Sequence, residues 1–403
     1  MTGGIDHDVI IVGAGTAGCF LAKRLAKAGL DVRVLEQSAR TKADSGIVSA
    51  HFFEHVPDES IIKTRIKAMD LVAPSGAKIK IRGRKPFAFL LDREKLGKKM
   101  RVPVRKRIVA GRFLGCQVHK GWVDIKVQDT NSALSARNGT NSSLRELSYS
   151  CKVLVGADGA MSGVRKALGI TQPQMAWGMM AKANSSLSSK ARHVTVYFNK
   201  DFSPDGFAWA IPQNEEMGML SSVKPMEYFQ RFLSSEAKNN EVEGRCGRVP
   251  RGDINSRRHV VGAPIPIGTC RSYADRAILV GDAAGQVKPL TGGGIVWGLR
   301  CADIAARAIE YAFDANRYDA FFWKTEYERK WQAAIGREFK KQLAVRKIYG
   351  RMNNSQLERL FDAIRPELER AGEFDYDALS GLVRGLPKLS LARIFVPSLL
   401  HLS

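Results

Sequence analysis

The stretch Asp8–Gln37, DVIIVGAGTAGCFLAKRLAKAGLDVRVLEQ, decides the fold. It predicts a buried strand, a glycine-rich turn, an amphipathic helix and a second strand that ends at an acid. Gly13 permits the tight turn, Gly15 lets a pyrophosphate approach the backbone, and Gly18 lets the helix pack closely on the strand. Glu36 follows at about the 20-residue distance where a carboxylate binds ribose hydroxyls. The stretch therefore predicts a Rossmann-type dinucleotide-binding unit.

A second glycine-rich stretch lies at Ile278–Leu299, ILVGDAAGQVKPLTGGGIVWGL. A hydrophobic strand runs into Gly281 and Asp282, and an apolar segment with helical periodicity begins at Ile295. The glycines at 292–294 precede this helix, so free N–H groups at its N-terminus can meet a phosphate or a flavin edge. Asp282 can accept hydrogen bonds from sugar hydroxyls. The stretch predicts a ligand-binding turn between a strand and a helix.

A third motif, CKVLVGADGAMSGVRKALGI, spans Cys151–Ile170. Its strand ends at Gly156, and Asp158, Ser162 and Arg165 follow at the start of a short helix. The order and separation of the three motifs resemble flavoprotein reductases and hydroxylases of the para-hydroxybenzoate hydroxylase fold. Within that superfamily the chain is most similar to the geranylgeranyl reductases, in particular to the archaeal enzymes that saturate digeranylgeranylglycerophospholipids.

Shorter segments carry the same resemblance. LLDREKL, Leu90–Leu96, resembles a strand-to-helix segment of the family and puts Arg93 at the position of a flavin-contacting arginine. PDGFAWAIP, Pro204–Pro212, is similar to the strand that lines the family's substrate pocket. The basic, apolar tail, Glu373–Leu400, also resembles that of archaeal members. The likeness covers nearly the whole chain.

The resemblance implies a mixed α/β and α+β architecture with FAD as the cofactor and no metal. We expect an FAD-binding domain at 1–170 with a basic insertion at 74–112 and a flexible loop at 129–148, an antiparallel substrate-binding sheet at 171–258, a return to the FAD-binding domain at 259–315, and a helical region with the basic tail at 316–403. The cofactor-binding residues implied are Gly13, Gly15, Gly18, Glu36, Asp44, Gly46, Arg93, Phe113, Asp158, Gly281, Asp282, Gly293, Gly294 and Ile295. The substrate-pocket residues implied are Phe207, Trp209, Ile211 and Pro212.

The chain departs from the family in the loop that faces the flavin. The family usually places a cysteine there, whereas this chain reads KADSG at 42–46. Addition of hydride to an isolated C=C bond needs a proton at the other carbon, because no carbonyl is present to hold the negative charge. Asp44, Ser45 or a flavin-bound water are the candidate proton donors, and the catalytic acid is otherwise unassigned.

Composition limits the partners. The 403 residues carry a formal net charge of +23, which predicts attraction to an anionic membrane surface, a nucleic acid or an acidic protein donor. No stretch of about 18 consecutive apolar residues occurs, so we expect a cytoplasmic protein in peripheral contact with the membrane. The basic residues lack an aromatic stacking platform, and no nucleic acid is expected as partner. The implied partners are a prenylated lipid and an electron donor, either NADPH or reduced ferredoxin.

Local patterns predict further elements. We expect a helix at 57–72, a hairpin at 112–128, and a long helix at 318–350 whose Trp323, Tyr327 and Trp331 pack in the core. The alternative enzyme is a flavin monooxygenase or halogenase on the same fold, because FAWAIP at 207–212 is one residue from a W-x-W-x-I-P pattern of halogenases. A basic membrane- or RNA-binding protein with a vestigial flavin site is the alternative outside enzymes.

Overall fold

The computed structural model describes residues 5–39, 46–130, 145–182, 193–242, 260–370 and 376–377. Three sheets and a set of helices form these parts of the chain. The strands are β1 His7–Val12, β2 Val32–Glu36, β3 Gly46–Val48, β4 Ile62–Ile66, β5 Ala68–Val72, β6 Lys78–Arg82, β7 Ala88–Leu91, β8 Ile108–Val118, β9 Val123–Asp129, β10 Glu146–Gly156, β11 Met175–Lys182, β12 Val194–Tyr197, β13 Ala208–Ile211, β14 Glu216–Ser221, β15 Val260–Pro266, β16 Tyr273–Ala274 and β17 Ala277–Leu279.

The helices connect and cover these sheets. They are α1 Thr16–Lys27, α2 Phe52–His55, α3 Arg93–Arg101, α4 Gly163–Ala167, α5 Pro225–Val242, α6 Ile295–Ala315, α7 Ala320–Trp323, α8 Arg329–Arg351 and α9 Asn354–Arg370. Among the described helices, none offers an apolar run long enough to cross a membrane.

The first sheet has a parallel core in the order β8-β2-β1-β10-β17, with β16 antiparallel at its edge. The outer halves of β8 and β10 pair with β9 and form an antiparallel meander. Alternate residues of β1 point to opposite faces, as strand geometry requires. Val9 and Ile11 pack with α1 and α6, whereas Ile10 and Val12 pack with β9 of the meander. This arrangement confirms the predicted Rossmann-type unit.

The second sheet has the order β15-β11-β14-β13-β12-β5-β6. Its pairs are antiparallel except β12 with β5. The sheet extends beyond the expected bounds of 171–258, because β5 and β6 join one edge and β15 the other. One face packs against Phe229 and Phe232 of α5, which leaves the opposite face directed at the first sheet's ligand-binding turns.

The prediction of a helix at 57–72 is wrong. Ile62–Ile66 and Ala68–Val72 are strands, in a three-stranded sheet of order β3-β7-β4 and in the second sheet. The apolar spacing of Ile62 and Ile66 fits both a helix and an alternating strand. Cross-strand pairing with β7 and β6 decides between them, and local sequence does not contain that information.

The hairpin at 112–128 is confirmed, with β8 and β9 antiparallel. Both ends of the flexible loop expected at 129–148 fall in strands, since β9 ends at Asp129 and β10 begins at Glu146, which pairs with Gln128. Residues 131–144 lie outside the described residues. The basic insertion at 74–112 includes β6, β7 and α3.

The helix expected at 318–350 is divided into α7, a π-helical turn at Lys324–Glu328, and α8. Trp323, Tyr327 and Trp331 are buried in the core, which confirms their predicted packing role. The Tyr327 hydroxyl donates to the carbonyl of Leu279 at 2.6 Å and accepts from Nε2 of Gln286 at 2.9 Å. Oε1 of Gln286 accepts from the backbone N–H of Gly281 at 2.7 Å. The π turn therefore supports the glycine turn after β17.

We expect Tyr327→Phe to lower the free energy of unfolding of the apoprotein by about 1–3 kcal/mol, because a buried carbonyl and a buried amide each lose a partner. Urea unfolding followed by tryptophan fluorescence measures this change. Tyr311→Phe is the matched control, since the Tyr311 side chain is 51% exposed. Equal stability of the two variants would contradict a structural role for the hydroxyl.

Candidate cofactor and substrate site

The three sequence motifs meet at the carboxyl ends of three neighbouring parallel strands, β1, β10 and β17. The backbone N–H of Ala157 donates to Val12 at 2.8 Å, and that of Val280 donates to Gly156 at 2.8 Å. Gly13 has a φ of +105° and any Cβ there would collide with the carbonyl of Ala157. Glycine is therefore required at this position, and the first turn packs directly on the third motif, Cys151–Ile170.

The N-terminus of α1 is open. Gly15 is its N-cap residue, and no side chain among the described residues caps it. A Cβ on Gly15 would meet nothing within 4 Å in the described part of the chain, whereas one on Gly18 would collide with the carbonyl of Gly13. Free N–H groups of a first helical turn, under an open space, form a site for a phosphate group. The geometry fits the pyrophosphate of a dinucleotide.

Glu36 lies at the end of β2, beside this turn. Its carboxylate accepts hydrogen bonds from the N–H groups of Ala14 and Ser38, both at 2.8 Å. Nη2 of Arg101 lies 3.4 Å from the same carboxylate, and Nε of Arg101 donates to the carbonyl of Ala14 at 3.2 Å. In the sequence, Arg101 was predicted only as part of the basic insertion at 74–112. Arg101 lies at the end of α3, two turns beyond Arg93. This helical spacing was the signal in the sequence from which its position could have been predicted.

Gly46, Arg93 and Ile295 come together from three parts of the chain. A Cβ on Gly46 would collide with Cδ of Arg93 and would lie 3.2 Å from Cδ1 of Ile295. Nη1 of Arg93 is buried at this junction. Asp44 and Ser45, the other predicted residues of this loop, lie outside the described residues. Gly46 at the start of β3, Arg93 of α3 and Ile295 at the N-terminus of α6 are therefore neighbours.

The glycine loop before α6 is tightly folded. Gly292 has a φ of +73°, and a Cβ on Gly294 would lie 2.9 Å from Oδ1 of Asp282. The backbone of Lys288 pairs with this loop, accepting from Gly292 at 2.9 Å and donating to Gly293 at 3.1 Å. Asp282 and the glycines are therefore neighbours, as their common motif predicted, and their backbone can approach a planar ring closely.

Asp158 caps α4. It accepts from the Ser162 hydroxyl at 2.6 Å and from the N–H of Val164 at 3.1 Å, and burial raises its pKa. Among the described contacts, the Arg165 side chain makes no ion pair with Asp158 of the same motif. Arg165 is buried and donates instead to the carbonyls of Ala160 at 2.7 Å and Ala283 at 3.0 Å, so it ties the second motif to the third.

Phe113 lies on β8 beside the start of α4. A Cβ on Gly163 would lie 3.3 Å from its ring and 3.7 Å from Oδ2 of Asp158. A register shift in the pairing of β8 with β9 follows Phe113 directly. The structure thus places Phe113 and Asp158 together at one end of the site.

The second sheet presents an apolar face to the glycine loop. A Cβ on Gly292 would lie 3.3 Å from Ile265 and 3.8 Å from Leu220, and these side chains share a cluster with Phe207 and Trp209. Three of the four predicted pocket positions, 207, 209 and 211, share this face by strand alternation. Ile211 is buried beside Leu90, and Pro212 begins a 3₁₀ turn after β13.

Glu216 was not predicted and supports the pocket tryptophan. It is fully buried on β14 and accepts from Nε1 of Trp209 at 3.0 Å and from the Asn214 amide at 2.8 Å. Gly218 leaves room for the indole, because a Cβ there would collide with the Trp209 ring. The one acid at the start of an otherwise apolar strand, EMGMLS, was the available signal.

The described cysteines offer no reactive thiol. Burial raises the pKa of Cys19 and of Cys151 to about 12 each, and the Cys19 thiol donates to the carbonyl of Ala14 at 3.3 Å. Thiolates are the reactive form of cysteine. Cys19 and Cys151 therefore act as small core side chains.

Two family models match the chain: one described as FAD dependent oxidoreductase covers residues 8–130, and one described as FAD binding domain covers residues 114–309. The protein is an FAD-dependent oxidoreductase. A geranylgeranyl bacteriochlorophyll reductase-like protein from Thermoplasma acidophilum has a similar structure, with a TM-score of 0.78 and 18% identity over 98% of each chain. The p-nitrophenol 4-monooxygenase of Pseudomonas putida gives a TM-score of 0.63 and 16% identity, over 94% of this chain and 97% of that one. The fold is therefore that of the para-hydroxybenzoate hydroxylase type, as predicted.

Curated relatives match the enzyme over its length. Digeranylgeranylglycerophospholipid reductase 2 of Methanothermobacter thermautotrophicus is 27% identical over 99% of each chain. The protein of the same name from Methanopyrus kandleri is 28% identical over 90% of this chain and 91% of that one. These similarities confirm the resemblance to the geranylgeranyl reductases.

Gly15→Ala should lower the affinity for FAD at least about tenfold, which equals about 1.4 kcal/mol, while the stability of the apoprotein changes by less than about 0.5 kcal/mol. The new methyl group meets only the space where the pyrophosphate is expected. Gly13→Ala is the comparison, and it should destabilise the apoprotein itself by more than about 2 kcal/mol. Fluorescence titration of the deflavinated protein with FAD and urea unfolding separate the two effects. Unchanged FAD affinity of Gly15→Ala would exclude the open turn as the phosphate site.

Proposed function

We propose that the protein is an FAD-dependent reductase that hydrogenates isolated C=C bonds of the geranylgeranyl chains in digeranylgeranylglycerophospholipid. The observation that carries the proposal is the apolar face of the second sheet, set against the glycine loop before α6. Phe207, Trp209, Leu220 and Ile265 form this face. The full-length similarity to reductases of that name supports the choice of substrate.

We assign the predicted cofactor residues to two halves of FAD. Gly13, Gly15, Gly18, Glu36 and Arg101 hold the adenosine and pyrophosphate half, with Phe113 and Asp158 beside it. Gly46, Arg93 and the segments 281–282 and 293–295 border the flavin. When bound, FAD supplies the hydride equivalent for reduction of the double bond.

The protein itself orients the prenyl chain and excludes water from the pocket. A prenyl chain has no polar handle along its length, so apolar walls must position each double bond by packing alone. The same walls exclude water, which would otherwise solvate the charge that develops at the reacting carbons. Glu216 fixes the orientation of the Trp209 indole, since its carboxylate accepts a hydrogen bond from the indole N–H. Asp44 or Ser45 of the flavin loop remains our candidate for the proton.

We further propose that the enzyme acts in the cytoplasm at an anionic membrane surface, and that NADPH or reduced ferredoxin supplies electrons. Val102 is 65% exposed, and the exposed Arg105 and Lys106 follow it in the same short helix. A cleft of about 450 Å³ separates this helix from Asp31–Arg33. An apolar tip beside cations suits a lipid headgroup region.

The anaerobic enzyme, reduced with dithionite, should convert digeranylgeranylglycerophospholipid stepwise to species heavier by H2, as followed by lipid mass spectrometry. Asp44→Asn should lose most of this turnover with prereduced flavin if Asp44 is the proton donor, and retain it if Asp44 is not. Unchanged lipid in the presence of fully reduced, bound flavin would refute the assignment of this phospholipid as the substrate. Oxygen-dependent turnover in the same pocket would then favour a monooxygenase or halogenase.

Reversal of two charges, Arg105→Glu with Lys106→Glu, should weaken binding to phosphatidylglycerol vesicles by about 2 kcal/mol or more, because each basic residue near an anionic surface contributes about 1 kcal/mol. Lys340→Glu with Lys341→Glu is the matched control, since it makes the same change at exposed positions of α8. Sedimentation with vesicles measures binding, and phosphatidylcholine vesicles should bind neither protein. Equal weakening by both pairs would contradict a local docking surface.

A further inference from the structure

A buried ion pair lies beside the candidate flavin site. Nζ of Lys288 is 2.8 Å from Oδ1 of Asp377, and the two side chains are only 4% and 10% exposed. The Ser49 hydroxyl donates to the other carboxylate oxygen of Asp377. The Lys288 ammonium also lies 4.4 Å from the centre of the Tyr376 ring. The pair is therefore nearly dry, and both charges keep close polar or aromatic partners.

The pair borders the two loops that we assign to the flavin. Lys288 is bonded through its backbone to the glycine loop, and a Cβ on Gly293 would lie 2.7 Å from its Cε. The lysine side chain therefore runs along the backbone of Gly293. Ser49 directly follows β3, whose first residue Gly46 adjoins Arg93 and Ile295. Asp377 follows α9 in the sequence and contacts this junction. Its backbone carbonyl accepts a hydrogen bond from Nε2 of Gln342 at 3.2 Å.

Stability does not by itself account for such a pair. Removal of two charges from water costs several kcal/mol per ion, and apolar side chains of similar volume often serve a core as well or better. A charge in a low-dielectric surrounding acts strongly on neighbouring groups. Charges near the ring nitrogens of a bound flavin alter its electronic properties.

We propose that Lys288 and Asp377 act as positioning residues that set the reduction potential of the bound flavin. Reduction adds negative charge to the flavin ring, so the Lys288 ammonium favours the reduced state and the Asp377 carboxylate opposes it. The hydroxyl of Ser49 weakens that opposition, because it hydrogen-bonds the carboxylate. This inference rests on the proposed position of the flavin and not on the identity of the lipid.

The test is the midpoint potential of the holoenzyme, measured by equilibration with a reference dye. Lys288→Met should make the potential more negative, and Asp377→Asn should make it more positive. The double variant Lys288→Met with Asp377→Leu should return near the wild-type value, because it removes both charges. We expect each single variant to change the ratio of affinities for reduced and oxidised flavin by at least tenfold, which is about 30 mV for a two-electron couple.

Opposite signs separate an electrostatic role from a merely structural one. Shifts of the same sign in both single variants, or no shift in either, would overturn the proposal. Ser49→Ala is the mild variant that serves if a single charge change prevents folding, and its potential should move in the same direction as that of Lys288→Met. Arg82→Met and Asp70→Asn provide a control pair, since these side chains form a 2.8 Å ion pair between β6 and β5. They should leave the potential unchanged.

The outcome is independent of the substrate assignment. The potential is read without lipid, so failure of lipid reduction with the predicted shifts would refute only the proposed substrate. Lipid reduction without the shifts would refute only the role of the ion pair. Urea unfolding of each apoprotein and its affinity for oxidised FAD show whether the variants keep the fold and the site.

Discussion

The close packing of backbone on backbone at the ends of β1, β10 and β17 is the constraint on which the site depends. Gly13 rests against the carbonyl of Ala157 with no room for a Cβ, and Val280 bonds to Gly156. Because the three strands are parallel and adjacent, their carboxyl ends lie at one edge of the sheet. Motifs that are separated by more than 100 residues in sequence are therefore brought together at one edge of the sheet.

Buried polar side chains hold these turns in place. Arg165 bonds to carbonyls of the second and third motifs, and Gln286 with Tyr327 fixes the Gly281 turn from the side of the C-terminal helices. Each group is buried, so water cannot replace a lost partner. The π turn that contains Tyr327 is thus part of the support for the ligand-binding edge, although it lies far along the chain.

The face of the second sheet that we propose for the substrate depends mainly on apolar packing. The second sheet contributes side chains that have few polar groups, and its other face is sealed by α5. The polar exceptions are Glu216, which bonds to Trp209, and the Lys288–Asp377 pair beside the glycine loop. Each of these groups has a polar partner within the protein. Dry apolar walls next to a redox cofactor fit a reaction on a hydrocarbon, and they strengthen the effect of any charge placed near them.

Glycine spacing and side-chain periodicity, which are local properties of the chain, were sufficient to predict the Rossmann-type unit and the packing role of the aromatic stripe in the C-terminal helices. The FAD cofactor was implied by the resemblance of the sequence motifs to the geranylgeranyl reductases. Only the tertiary structure decided that 62–66 and 68–72 are strands, that Arg101 meets Glu36, and that Arg165 bonds to carbonyls and not to Asp158. It also decided the pairing of Lys288 with Asp377 across 89 positions. Such contacts join segments that are remote in sequence, and their energies arise only when the strands have paired and the helices have packed.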